Sequence, residues 1–238
     1  MKRIFLILSL SILLSNISLG QLRQISVAGD FTLPLGERLA ITGNSALGAI
    51  ISAKFDVGSD ICLTLNTGYQ QYSFSQDSSL AQWDWRYWDY YYQFVQTTLT
   101  EEEYSAVLSP FQKMDVIPLY FTIDYRAQMS EKFSLSPSIG AGVLFFTRRF
   151  YVTEDWARDF EQIDYRFSYS FRNIGPEKGG NPLFALIGIS GEYEFTEDYY
   201  LVGSVNYKQV FDTGDKFGFD LFTFNNSLSF NLGIGFGY

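Results

Sequence analysis

Over its last 17 residues the chain alternates between two kinds of side chain. Phe222, Phe224, Asn226, Leu228, Phe230, Leu232, Ile234, Phe236 and Tyr238 fall on one side, apolar except at Asn226. Thr223, Asn225, Ser227, Ser229, Asn231, Gly233, Gly235 and Gly237 fall on the other. A period of two is the signature of an extended strand, whose successive side chains point to opposite faces. A soluble sandwich also alternates, but its strands average about five to six residues. A tilted strand needs ~9–11 residues to cross hydrocarbon and often continues above it. The pattern therefore predicts one long membrane-crossing strand over 222–238.

The same alternation recurs seven more times. Its apolar faces are Ile25, Val27, Phe31 and Leu33; Leu47, Ile51, Phe55 and Val57; Ile61, Leu63, Leu65 and Tyr69; and Ile117, Leu119, Phe121, Ile123 and Tyr125. Phe133, Leu135, Ile139, Val143 and Phe145 mark a fifth strand, Leu183, Ile187, Ile189, Tyr193 and Phe195 a sixth, and Tyr199, Leu201, Val205 and Tyr207 a seventh. Pro118 and Pro137 lack a ladder donor, which predicts bulges near them. Tight turns at 57–60, 129–132 and 196–198 alternate with long connections at about 34–46, 75–114, 151–181 and 211–220. Short on one side and long on the other predicts an all-β, transmembrane, antiparallel up-and-down barrel of eight strands, with periplasmic turns and extracellular loops. An even count leaves both termini in the periplasm. Tyr165, Phe167, Tyr169 and Phe171 alternate as well, but a ninth strand would separate the termini. They are expected to form a hairpin arm above the membrane, paired with an upward extension of strand five. Thr100-Glu101-Glu102-Glu103 has the form of a capping box and predicts a short helix to about Ser109.

The N-terminus adds an address. Lys2 and Arg3, the apolar run from Ile4 to Leu14 and the small residues Ser18 and Gly20 have the layout of a secretory signal peptide over residues 1–20, leaving 21–238 as one barrel domain. Removing Lys2 and Arg3 takes the formal net charge from −9 to −11, which argues against nucleic acid as a partner. Cys62 is the single cysteine, so neither a disulfide framework nor a thiolate metal site is available. Aromatic residues make up 18%, yet beyond the signal no apolar run approaches the ~18 residues of a membrane helix.

The Ser-Leu-Gly that closes the signal before Gln21, charged tight turns such as Thr196-Glu197-Asp198, and the ending Leu232-Gly233-Ile234-Gly235-Phe236-Gly237-Tyr238 resemble the Bacteroidota outer-membrane barrels. These include the PorT-like group and the small OmpA-like eight-stranded barrels. The resemblance is architectural and covers the whole chain. It carries no catalytic motif and implies only that some relatives serve secretion or gliding machinery.

Histidine is absent from all 238 residues, which removes Ser-His-Asp and Cys-His chemistry and any imidazole metal site. A non-enzymatic barrel without cofactor or metal is therefore expected. With the apolar faces outward, Asp30, Lys54, Asp56, Asp124, Arg126, Glu192, Glu194 and Lys208 point inward. An eight-stranded interior is just wide enough to be filled by side chains, so Lys54 and Arg126 should bridge to Asp56, Asp124, Glu192 or Glu194. Such a cluster acts either as a polar plug or as an ion path or docking mouth. In the second long loop Trp83, Trp85, Tyr87, Trp88, Tyr90, Tyr91, Tyr92 and Phe94 fall within 12 residues. Aromatics at that density either pack on the rim or bind a protein or glycan partner. Glu154, Asp155, Asp159, Glu161 and Asp164 match no metal-loop spacing and read as a solvated acidic face. Phe236 and Tyr238 are expected to serve as the signal through which the barrel-assembly machinery takes up the last strand. The expected role is an integral outer-membrane protein, bathed in outer-membrane lipid, whose long loops form a recognition or structural surface. The alternatives are a secretion or envelope-assembly accessory working from the periplasmic side and a narrow ion or solute channel.

Overall fold

In the computed structural model, residues 22–35, 46–75, 86–99, 104–211 and 222–238 are described. The strands are β1 (Leu22–Leu35), β2 (Ala46–Asp56), β3 (Ile61–Ser75), β4 (Tyr104–Tyr125), β5 (Ala127–Gln128), β6 (Phe133–Phe160), β7 (Tyr165–Gly180), β8 (Leu183–Thr196), β9 (Tyr199–Val210) and β10 (Asn226–Gly237). Helix α1 (Arg86–Thr98) lies between β3 and β4. The signal segment 1–20 and the loop portions 36–45, 76–85, 100–103 and 212–221 lie outside the described residues.

Eight strands close into a ring in the order β1-β2-β3-β4-β6-β8-β9-β10, and β10 pairs back onto β1 from Gln24↔Gly237 to Leu35↔Asn226. All of these pairings are antiparallel. Tyr238 donates its backbone N–H to the Arg23 carbonyl at 2.9 Å, completing the seam. Short turns join β2 to β3 and β8 to β9 at one end. At that end, too, the Met129 N–H bonds the Phe133 carbonyl at 2.9 Å. The fold is the transmembrane up-and-down barrel that the alternation predicts.

Outward positions are apolar and uncovered: Val27, Leu47, Ile51, Leu65, Ile117, Phe121, Ile139, Ile187, Leu232 and Ile234 are all exposed. No soluble protein of this size leaves such a belt in water; lipid covers it. Tyr125, Phe133, Tyr193, Phe195, Tyr199, Phe236 and Tyr238 ring its lower edge, where amphipathic rings suit the headgroup boundary. Helices add nothing to the crossing, since among the described residues none is long and apolar enough to span a membrane.

Beyond the ring, β6 continues for 28 residues in all, and β7 pairs with its upper part from Phe160↔Tyr165 to Phe146↔Gly180. This is the hairpin arm expected at 165–172. It extends further than expected, because residues 104–110 prolong β4 along the same part of β6. A three-stranded sheet thus rises from one side of the barrel.

Three expectations are corrected. Residues 104–109 are strand and not the helix that the capping box suggested, because the long-range β4–β6 ladder takes them up; Thr100 to Glu103 lie outside the described residues. The last strand starts at Asn226 rather than Phe222, and Phe222 and Phe224 turn into the barrel mouth, each 3% exposed, to join its aromatic core. The prolines make no bulge. The β3–β4 ladder skips Gly68 and Tyr69 opposite Pro118 and Ile117 and resumes in the same register, and Pro137↔Ile189 pairs without a shift. The shifts fall instead at Leu22/Gln24, Arg149/Tyr151 and Glu194/Thr196.

Leu232 stands midway down the belt on β10. Leu232→Arg should cost about 2–4 kcal/mol of folding stability in lipid, measured by denaturant unfolding from vesicles. The same change at Tyr238, on the lower rim, should cost ~1 kcal/mol or less.

Candidate functional site

Inward side chains sort into layers. Nearest the periplasmic turns, Lys54 pairs with Glu192, both buried, and Asp124 accepts from the Thr64 and Thr122 hydroxyls. At the rim Asp56 lies 3.6 Å from Arg126 and 3.8 Å from Arg23, and Arg126 also donates to the Ser59 carbonyl at 2.7 Å. Five of the six residues expected to form an interior cluster therefore make polar contacts here. The sixth, Glu194, is half-buried and makes no ion pair among the described residues. Arg23 was not anticipated, because it stands at the very start of β1, beside the shift at Leu22/Gln24. Cys62, buried, donates to Asp56 at 3.3 Å.

Above this layer lies a polar chamber of about 90 Å³ lined by Gln24, Asn66, Asp124, Glu192, Asn206 and Asn231 among others. That exceeds the roughly 10–15 Å³ a cavity needs to admit a water. Tyr120 roofs it, with Lys208 Nζ 5.9 Å from its ring. Small inward positions make this possible: a Cβ at Gly142 would collide with Tyr120 Cβ. Asp30 accepts from Gln70 at 2.6 Å and from Thr32 at 3.0 Å at mid-barrel.

The upper third is a hydrophobic stopper. Met114, Val116, Leu144, Phe146, Phe150 and Phe184 pack with Phe222 and Phe224 brought in by the turned-in segment. Phe222 meets Phe146 edge-on at 5.3 Å and Phe224 at 5.1 Å. Arg148, wholly buried in this region, donates to the Thr223 hydroxyl at 3.2 Å.

The aromatic segment is a helix over most of its length. Its residues mix periods of two and three to four, but Trp88, Tyr91 and Val95 share one helical face, and Trp88 and Val95 are buried. Trp83 and Trp85 lie outside the described residues. Trp88 meets Phe150 edge-on at 5.8 Å, while Tyr87 and Tyr91 are partly buried against the same core. Gly175 on β7 permits this seat, since a Cβ there would stand 2.8 Å from the Phe150 ring and 3.4 Å from Tyr87. Tyr90, Tyr92 and Phe94 remain exposed, Tyr92 beside Trp88 with ring centroids 6.1 Å apart.

What locks α1 is Glu154. Its carboxylate, 3% exposed, accepts from the Tyr91 hydroxyl, from Asn173 Nδ2 and from Trp156 Nε1, the last at 2.6 Å. Burial and the neighbouring carboxylate push the Tyr91 phenol well above its ordinary range, so it stays a donor at any physiological pH. The acidic stretch does not converge as a unit: Glu154 faces the core, while Asp159 pairs outside with Arg166 at 3.7 Å. Among the described residues no group of histidine, cysteine or carboxylate side chains is arranged to hold a metal.

No family model matches the chain, and no curated protein matches it. Solved structures do. A major outer membrane protein of Thermus thermophilus aligns at 11% identity over 90% of this chain and 99% of that one, with a TM-score of 0.50. Neisserial surface protein A aligns at 10% identity over 91% and 96%, with a TM-score of 0.44. Ail, the attachment invasion locus protein of Yersinia pestis, aligns at 11% identity over 91% and 97%, with a TM-score of 0.39. At such identities the likeness is one of fold, and the Thermus barrel carries it. The class is thereby defined: an eight-stranded β-barrel of the outer-membrane type.

Glu154→Ala should leave Tyr91 and Trp156 donors without their acceptor, at about 1–3 kcal/mol for each buried group. Tryptophan emission should shift to the red and the near-UV dichroism should weaken. The unboiled protein should still run faster than the boiled one on a gel. Unchanged emission would show that α1 is seated by something else.

Proposed function

We propose that the protein is a non-enzymatic integral barrel of the outer membrane whose extracellular projection is a recognition surface. The observation that carries this reading is the three-stranded sheet of β4, β6 and β7, which extends past the ring and bears exposed aromatics at Tyr165, Phe167, Tyr169 and Phe171. An aromatic patch of that kind above a membrane has no packing role in the barrel wall, and Tyr and Phe give large contact area for little conformational entropy. The exposed side of α1, with Tyr90, Tyr92 and Phe94, adds to the same end of the molecule. Trp88 and Tyr91, by contrast, serve as its anchors. A protein or glycan partner fits this surface. The absence of histidine from the sequence supports the non-enzymatic reading.

The route to the membrane belongs to the same proposal. Residues 1–20 direct secretion and are removed, and the assembly machinery recognises β10 through Phe236 and Tyr238 at its end. Membership of the Bacteroidota PorT-like group rests on the sequence resemblance alone. It supports a second reading, an accessory of a secretion or envelope machine, and the half-exposed Arg23–Asp56–Arg126 cluster at the periplasmic rim is the feature that favours it. A channel role is disfavoured by the aromatic stopper across the lumen.

Replacing Tyr165, Phe167, Tyr169 and Phe171 together by serine should leave the barrel assembled and heat-modifiable while abolishing capture of native partners from intact cells. Charge reversal at Arg126 should leave that capture unchanged. The opposite pattern would replace the surface reading with the periplasmic one.

A further inference from the structure

The free edge of β7 has a property that its aromatic stripe alone does not explain: it is complementary to itself. Among the described residues β7 pairs with β6 and with no other strand. Residues 165–172 are exposed at every position, so one side of the strand offers an unpaired row of backbone donors and acceptors. Long exposed edges are normally blunted by lysine, proline or a bulge. Between Tyr165 and Ile174 there is no lysine, proline or bulge, and the two charges, Arg166 and Arg172, alternate onto the face opposite the aromatic stripe; the register shift and Pro176 come only lower down.

Consider a second β7 laid antiparallel with Ser168 facing Ser168. Tyr165 then stands opposite Phe171, and Phe167 opposite Tyr169, so every aromatic meets an aromatic. On the other face Arg166 stands opposite Ser170. Known neighbours on β6 extend each row, since Asp159 pairs with Arg166 and Asp155 with Ser170. Arg166 would then lie between Asp159 of its own copy and Asp155 beyond the seam. No like charges face each other, which is the condition for a stable cross-strand row. Shifting the register by one pair, to centre on Tyr169, sets Arg166 against Arg172 and loses this match. The four aromatics are 54%, 47%, 41% and 42% exposed at 165, 167, 169 and 171, so there is apolar area to bury.

We infer that β7 is a self-docking edge that pairs antiparallel with β7 of a second copy. The inference rests on the recognition reading above and names the partner. Antiparallel pairing about this two-fold reverses the strand direction, so the two barrels point tip to tip. The contact therefore joins copies in two facing membranes and not neighbours in one, and the chemistry it supplies is adhesion between surfaces that carry the protein.

Cysteine cross-linking tests the register. Cys62 is buried at the opposite end of the barrel, so a new thiol on the arm reports alone. In the full-length protein in detergent, Ser168→Cys faces its own copy at the two-fold and should form an intermolecular disulfide readily. Ser170→Cys stands roughly 14 Å along the strands from its copy and should cross-link at least tenfold more slowly. Proteoliposomes carrying the wild type should cluster. Tyr169→Lys, which places a charge in the stripe, should disperse them while the unboiled protein keeps its fast gel mobility. Equal cross-linking at 168 and 170, or a wild type that stays monomeric with dispersed vesicles, would overturn self-pairing. If that monomer still captured a foreign partner through the arm, the recognition reading would stand without it.

Discussion

A bilayer core offers no water to a backbone amide, so each N–H and C=O that enters it must find its partner within the protein. In this chain the β10–β1 seam meets that demand. Twelve register pairs, from Gln24↔Gly237 to Leu35↔Asn226, turn an open sheet into a ring with no edge inside the hydrocarbon. Everything else follows from closure. Alternation becomes a division between lipid and lumen, the small end of the molecule is set by tight turns, and any strand that cannot join the ring must leave the membrane. β7 is that strand.

Closure also confines charge. Lys54, Lys208 and Arg148 are buried in the lumen with Asp30, Asp124 and Glu192, and Glu154 is buried above them beneath α1. Unpaired charges are costly in such a space, and the hydroxyl, amide and carboxylate partners around them form a polar lower barrel about a small chamber. The aromatic stopper closes the top. The interior thus holds the ring in shape, and the surface available for encounters is the sheet that stands outside it. That division of labour explains why the chemistry-bearing residue types sit inside while the exposed aromatics sit on the arm.

Much of this was legible in the alternation. The eight faces, the inward set from Lys54 to Glu192, and the excess strand at 165–172 all follow from a period of two joined to the requirement for an even strand count. What alternation does not mark is where a strand leaves the sheet. Phe222 and Phe224 continue the apolar phase of Leu228 and Phe230, yet they turn inward because the open mouth gives them Phe146 and each other to pack against. The capping box at Thr100 is a local signal, and it lost to pairing with residues more than forty positions away. The aromatic run at 83–94 has no single period, so its helix was hidden until Phe150 and Glu154 supplied the surface for one face. Glu154 itself stood among five acidic residues whose spacing gave no reason to separate it from the rest; only its position on the inward face of the extended β6 does so.

The central claim, a closed ring with lipid outside and polar packing within, is tested most directly along β10. Single tryptophans placed in turn at 228 to 234, in a background with the native four replaced, report lipid contact through quenching by brominated acyl chains. The account predicts a period of two, with strong quenching at 228, 230, 232 and 234 and little at 229, 231 and 233. Quenching that is uniform along the strand, or strongest at the odd positions, would contradict it.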